Sequence, residues 1–237
     1  MTEFAFAPTV PSVAIAGSAQ RFPVHRIYCV GRNYAEHARE MGGDPRAEPP
    51  FFFMKPADAV LASGAELPYP SRTRELHHEI EMVVAIGRGG RDIAASAALG
   101  YIFGYAAGID LTRRDLQALA KRNGRPWDTA KGFEHSAPLA AIRPVTQGHV
   151  QHGRIWLEVN GQLRQEADVS QMIWKVPEIL AELSGYFALC PGDLVFTGTP
   201  AGVQALQPGD RLEGGIAGLE TLRLQVGASQ PVTAGAL

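Results

Sequence analysis

The run Glu79-Ile80-Glu81-Met82-Val83-Val84-Ala85-Ile86-Gly87 is short, rich in β-branched residues and closed by glycine, the pattern of a core β-strand. Successive side chains of a strand point to opposite faces, so Glu79 and Glu81 share one face with Val83 and Ala85. Two like charges on a face bound for the core are costly unless positive charge compensates them. A divalent cation is one compensator. The alternative is an edge strand whose acids simply face solvent.

On either side of this strand, Arg26–Val30, Phe51–Lys55, Ile102–Ile109, Arg154–Val159, Asp193–Phe196 and Leu219–Val226 also read as strands. Asn160-Gly161 between Arg154–Val159 and Gln162-Leu163-Arg164 is a two-residue hairpin signal. Helical patterns are fewer and shorter: Asn33–Met41, Ile93–Leu99, Thr112–Arg122 and Val176–Ala188. Strands outnumber helices without the regular alternation of a doubly wound sheet, so the expected class is α+β. The chain is expected to form one domain over 1–237, with residues 1–24 as an arm along its surface or edge.

Composition removes several function classes. A formal net charge of −2 supplies no electrostatic footprint for nucleic acid or an anionic membrane. No apolar run reaches the length of a membrane span, and residues 1–24 lack a signal-peptide pattern, so a cytoplasmic location is expected. Cys29 and Cys190 lie in apolar settings and read as buried thiols.

Four constellations carry chemistry. Asp110 ends the small, apolar run Gly104–Ile109 and would join Glu79 and Glu81 from a strand end. The following Thr112-Arg113-Arg114-Asp115 reads as a helix N-cap. Three carboxylates are hard oxygen donors, suited to Mg²⁺ or Mn²⁺, with Ca²⁺ also compatible, and they leave about three of six coordination positions open. In Asn33–Gly42, Asn33 is placed to cap a short helix, with Glu36 completing the box and Gly42 ending it. His37 and Glu40 then share a face, as a carboxylate-oriented general base or as an incidental surface pair. Lys131, alone among small and apolar residues, is either an anion-stabilising cation or a snorkelling surface lysine. Phe196-Thr197-Gly198-Thr199-Pro200 is either a carboxylate cradle or a plain turn. His77 and His78 fit an exposed position before the strand.

These segments occur in one order that resembles the fumarylacetoacetate hydrolase superfamily. The matching residues are Val30-Gly31-Arg32-Asn33-Tyr34-Ala35-Glu36-His37, Phe53-Met54-Lys55-Pro56, His77-His78-Glu79-Ile80-Glu81, Gly108-Ile109-Asp110-Leu111-Thr112, Lys131-Gly132-Phe133 and Thr197-Gly198-Thr199-Pro200. The resemblance is strongest to the short acylpyruvase group, and within it to bacterial members acting on fumarylpyruvate; the stretch Glu48–Ala59 and the N-terminal arm carry that finer likeness.

The resemblance implies a β-rich roll with short flanking helices, usually paired as a homodimer. It implies metal ligands at Glu79, Glu81 and Asp110, a water-activating pair at His37 and Glu40 on a lid-like helix, and a catalytic lysine at Lys131. It also implies that Arg113, Gln117 and Thr199 contact the carboxylate end of a pyruvoyl group. Arg32 is the candidate for a distal carboxylate. The implied reaction is hydrolysis of the C–C bond of a 2,4-dioxo acid, above all fumarylpyruvate to fumarate and pyruvate in gentisate breakdown. Two rivals stand beside it: decarboxylation or isomerisation of oxaloacetate or a related 2-oxo diacid, and a non-catalytic dicarboxylate-binding protein.

Overall fold

The Ile80–Ile86 strand lies near the centre of the largest sheet because both of its faces are buried. The computed structural model describes residues 4–40, 42 and 49–229. In this eight-stranded sheet Phe51–Lys55, Ile27–Gly31, Leu194–Phe196, Ile80–Ile86, Ile102–Ile109, Ala137–Leu139 and Val60–Ala62 lie side by side in that order; Arg143–Pro144 also pairs with Ile102–Ile109. Most neighbours are antiparallel, whereas Leu194–Phe196 runs parallel to Ile27–Gly31 and Ala137–Leu139 parallel to Val60–Ala62. One face, with Met82, Val84 and Ile86, packs into the larger core; the other, with Val83 and Ala85, packs with Phe196 and Ile27.

A five-stranded sheet of Gln162–Asp168, Arg154–Val159, Arg211–Ile216, Leu222–Ser229 and Glu66–Tyr69 closes over the larger core. Its hairpin turns at Asn160 and Gly161, both with positive φ (54° and 74°), as the Asn-Gly pair demands. A three-stranded sheet of Thr112–Arg113, Leu76–His77 and Ala205–Leu206 sits beside the site. Helices are short: Ala35–Glu40, Arg114–Arg122, Asp128–Lys131 and Val176–Tyr186. This is the β-rich α+β class expected. No helix among the described residues is long and apolar enough to cross a membrane.

Several local expectations are corrected. Ile93–Leu99 was expected as a helical pattern, and the chain forms a 3-10 helix at Ala95–Tyr101. The first helix begins at Ala35, and Met41 and Glu48 lie outside the described residues. Asn33 caps no helix: it is fully buried, donates to the Trp174 and Thr197 carbonyls, and accepts from Trp174 N. Tyr34 takes the position before the helix and accepts from Ala38 N. Thr112 is no cap either, since it sits in a two-residue strand facing the acidic cluster. His78 is buried, not exposed, because its Nδ1 pairs with the Gln165 amide oxygen at 2.9 Å. Cys29 is buried but Cys190 is only half-buried, and both are free. Residues of the N-terminal arm form the hairpin Ser12–Ala14 and Arg21–Pro23, whose Val13 and Phe22 bury against the smaller core.

Candidate active site

Glu81 lies inside the Ile80–Ile86 strand, Glu79 just before it, and Asp110 just after the adjacent Ile102–Ile109 strand. Antiparallel pairing of Ile80 with Ile109 brings the three acids to one end of the sheet, where all are buried. One carboxylate oxygen from each lies within 4.8 Å of the others. The solvated-edge alternative is therefore excluded for these strands.

Two lysines and an arginine crowd the cluster. Lys131 Nζ donates to Asp110 Oδ2 at 2.6 Å, Thr112 Oγ1 at 2.6 Å and Glu79 Oε2 at 3.0 Å. It is buried, so the surface reading of this lysine fails. Lys55 Nζ lies 2.8 Å from Asp110 Oδ1 while donating to the Leu111 and Lys131 carbonyls. Arg114 Nη2 pairs with Glu79 Oε1 at 2.5 Å. These cations divide the acids unequally. Burial works against the Glu79 charge, but Lys131, Arg114 and His37 outweigh it and hold that carboxyl well below its ordinary range. Burial pushes the Glu81 carboxyl well above its ordinary range, and the Asp110 and Glu79 charges push it further. Burial would lower the Lys131 ammonium, yet Asp110 and Glu79 raise it.

The acids fit a hard divalent cation by their donor chemistry and by what is left unfilled. Glu81 accepts from Gly198 N at 2.7 Å, its one hydrogen bond among the described residues. Asp110 Oδ1 has only the Lys55 ammonium at 2.8 Å and no well-aligned hydrogen bond. Gly198 holds φ at 95°, and a Cβ there would meet Asn33 Cβ at 2.6 Å, so the turn that aims this amide at Glu81 requires glycine. Positive charge supplied at this point would relieve the Glu81 crowding.

His37 lines the same pocket, with its Nδ1 3.1 Å from Glu40 Oε2. Glu40 Oε1 is 3.4 Å from Gly202 N, which ties the short helix to the loop after Thr199. Gln117 and Thr199 also line the pocket. Gln117 accepts from Arg114 Nη1 at 2.6 Å, and Thr199 Oγ1 accepts from Gln165 Nε2 at 2.8 Å. Arg32 is at the pocket wall as well.

Arg113 departs from expectation. Its guanidinium lies over the Phe133 ring at 4.3 Å and donates to the Thr129 carbonyl, away from the acids. Arg114, the next residue, turns into the pocket in its place. Sequence reasoning also missed Lys55, Gln165 and Lys121. Lys55 ends the otherwise apolar strand Phe51–Lys55, a signal that was available. Gln165 lies in the hairpin strand and carries no such signal, yet its amide oxygen accepts from Ile80 N and so fixes the strand start next to Glu79.

Comparison with known proteins identifies close relatives of the whole chain. The chain is 45% identical over 187 residues to a fumarylpyruvate hydrolase of Ralstonia sp, covering 79% of this chain and 97% of the relative. It is 42% identical over 205 residues to a mitochondrial oxaloacetate tautomerase of Rattus norvegicus, covering 86% and 92%. Its fold superposes on the crystal structure of fumarylpyruvate hydrolase from Pseudomonas aeruginosa in complex with Mn²⁺ and pyruvate, with a TM-score of 0.94 and 53% identity, covering 96% of this chain and all of that one. Residues 26–227 match the fumarylacetoacetate (FAA) hydrolase C-terminal family, and with the roll and its acidic cluster in hand, the chain belongs to that family.

Proposed function

We propose that this chain is a divalent-metal-dependent hydrolase that cleaves the C3–C4 bond of a 2,4-dioxo acid, with fumarylpyruvate the leading substrate and fumarate and pyruvate the products. The observation that carries the reading is one pocket lined both by a carboxylate-oriented histidine, His37, and by Glu79 and Glu81 of the acidic cluster, of which Glu81 faces no cation of its own among the described residues. The Ralstonia and Pseudomonas relatives support the choice of substrate. Glu79, Glu81 and Asp110 would hold Mg²⁺ or Mn²⁺, which as a Lewis acid supplies charge stabilisation for the pyruvoyl oxygens.

The side chains divide the remaining work. With its Nδ1 proton directed at Glu40, His37 presents the Nε2 lone pair and takes a proton from water. The water oxygen attacks the C4 carbonyl, the C3–C4 bond breaks, and its electron pair becomes the enolate of pyruvate. A proton then adds at C3, and the acyl side leaves as a carboxylic acid. Lys131 and Arg114 place positive charge beside the pyruvoyl end, where negative charge develops, with Gln117 and Thr199 as neutral donors. Family resemblance further leads us to infer a homodimer, which light scattering at twice the chain mass would support and at the chain mass would refute.

The test is purified protein with Mg²⁺ or Mn²⁺ and fumarylpyruvate, followed by loss of the enol absorbance. Metal-dependent loss with one pyruvate formed per substrate is expected. No turnover of any acylpyruvate would overturn the reading in favour of a binding protein. The rat relative favours a second reading, in which the same pocket acts on oxaloacetate. Tautomerisation moves only a proton and releases no pyruvate, so pyruvate formation from fumarylpyruvate, measured in wild type and in His37→Ala, separates the two. Acylpyruvate hydrolysis should collapse in that variant, and full retention would sink the roles assigned here.

A further inference from the structure

The outer wall of the pocket holds two cations that the chemistry above does not use. Arg32 and Lys121 both line it, together with Phe51 and Trp127. The Arg32 guanidinium lies over the Phe51 ring at 5.8 Å, and Lys121 Nζ lies over the Trp127 ring at 5.2 Å. Phe51 and Trp127 themselves meet edge to face at 5.7 Å, so the two cations share one aromatic floor. Neither forms an ion pair with a carboxylate among the described residues, and Arg32 Nε is buried without a partner. Their charges act on each other: burial first, then Arg32 and Arg114, depress the Lys121 ammonium to about 8.

Such an arrangement is held at a cost. Arg32 has a left-handed backbone (φ 57°), unfavourable for a residue with a Cβ. The preceding Gly31 has no Cβ because the Phe51 ring occupies that space. Two mutually repelling cations with no carboxylate partner among the described residues, one of them on a strained backbone and the other in the last turn of a helix, point to a missing anion. The inner cations differ, since Lys55, Lys131 and Arg114 already face Glu79 or Asp110.

We propose that Arg32 and Lys121 form a subsite for a second carboxylate, carried on the acyl group of the substrate, so that acyl chains ending in a carboxylate are preferred over neutral ones. The assignment of the pyruvoyl end to the acidic cluster rests on the reading under Proposed function. The outer subsite makes that reading more specific, with Lys121 as the specificity-determining residue.

Two measurements test it. In metal-loaded enzyme, the ratio of kcat/KM for fumarylpyruvate over acetylpyruvate should fall at least roughly tenfold in Lys121→Met, chiefly through KM, and Lys121→Arg should restore most of it. An unchanged ratio would overturn the subsite. Independently of turnover, calorimetry should show wild-type protein binding 2-oxoadipate at least roughly tenfold tighter than 2-oxobutyrate, with the preference lost in Lys121→Met. Equal binding of the two by wild type would also overturn it. If hydrolysis fails with both acylpyruvates while this binding preference holds, the hydrolase reading falls and the outer subsite stands.

Discussion

Glu81, in the Ile80–Ile86 strand, and Asp193, just before the Leu194–Phe196 strand that pairs with it, are both buried acids at opposite ends of that pairing, and their surroundings differ. Each also belongs to a cluster with metal-ligand chemistry: Glu79/Glu81/Asp110 in one case, His25/Cys190/Asp193 in the other. Asp193 has its charge answered from within the chain. It accepts from Arg26 Nε at 3.0 Å, Arg26 Nη2 at 2.8 Å and Cys190 N at 2.8 Å, and His25 Nδ1 lies at 2.8 Å. Glu81 has one amide and two neighbouring acids. A buried acid with filled lone pairs holds the fold together, while one with unfilled lone pairs awaits something from outside. On this contrast we assign Asp193 a structural role and propose Glu81 as a metal ligand, without reference to any relative.

The sharpest way to break the contrast is to exchange the consequences of the two acids. Glu81→Ala should reduce turnover to background and remove the bound cation. Glu81→Gln should leave the metal-free protein melting no lower than metal-free wild type, because it replaces a carboxyl whose ionisation burial, Asp110 and Glu79 all oppose. A clear fall in that melting temperature would make Glu81 structural after all. His37→Ala should keep the cation and lose roughly 10²–10⁴ in kcat, the range of a positioned general base. Asp193→Ala should do the opposite of Glu81→Ala. It leaves Arg26 without its carboxylate and should cost about 3 kcal/mol of stability by denaturant unfolding, with metal binding intact. Unchanged stability would remove the basis for calling that cluster structural.

The smallest expected effect is a pH dependence at the outer wall. The folded-state ammonium of Lys121 is depressed from 10.5 to about 8, so the unfolded chain retains this proton between those values while the folded chain has released it. This group therefore contributes stability that increases as pH rises from about 8 toward 10.5. Over the same rise the subsite loses charge, and the preference for a carboxylate-bearing acyl group should weaken by a few-fold above about pH 8. Lys121→Arg should hold the preference flat; a slope equal to that of wild type would assign the titration elsewhere.

The long strands were legible because composition and alternation act locally. Phe51–Lys55, Ile102–Ile109 and Arg154–Val159 fall at the residues expected, as does the Asn160-Gly161 turn. Two- and three-residue strands such as Leu76–His77, Thr112–Arg113 and Val60–Ala62 were not, since their pairing depends on partners far away in sequence. Tertiary hydrogen bonds also overrode local capping signals. Asn33 holds Trp174 and Thr197, and Thr112 faces Lys131. The acids of the site could be read from the cost of burying like charges. The choice between Arg113 and Arg114 could not, because adjacent residues of a turn leaving a strand point in different directions, and only the fold decides which reaches Glu79. Lys121 resembled an ordinary basic residue in the last turn of a helix until Trp127 and Arg32 came beside it.

Titration of metal-free protein with Mn²⁺, compared among wild type, Glu81→Ala and Asp193→Asn, tests the central claim most directly. Wild type and Asp193→Asn should each bind one Mn²⁺ per chain with high affinity, and Glu81→Ala should bind none. A Glu81→Ala protein that still binds one Mn²⁺ per chain, or an Asp193→Asn protein that is folded and binds none, would contradict it.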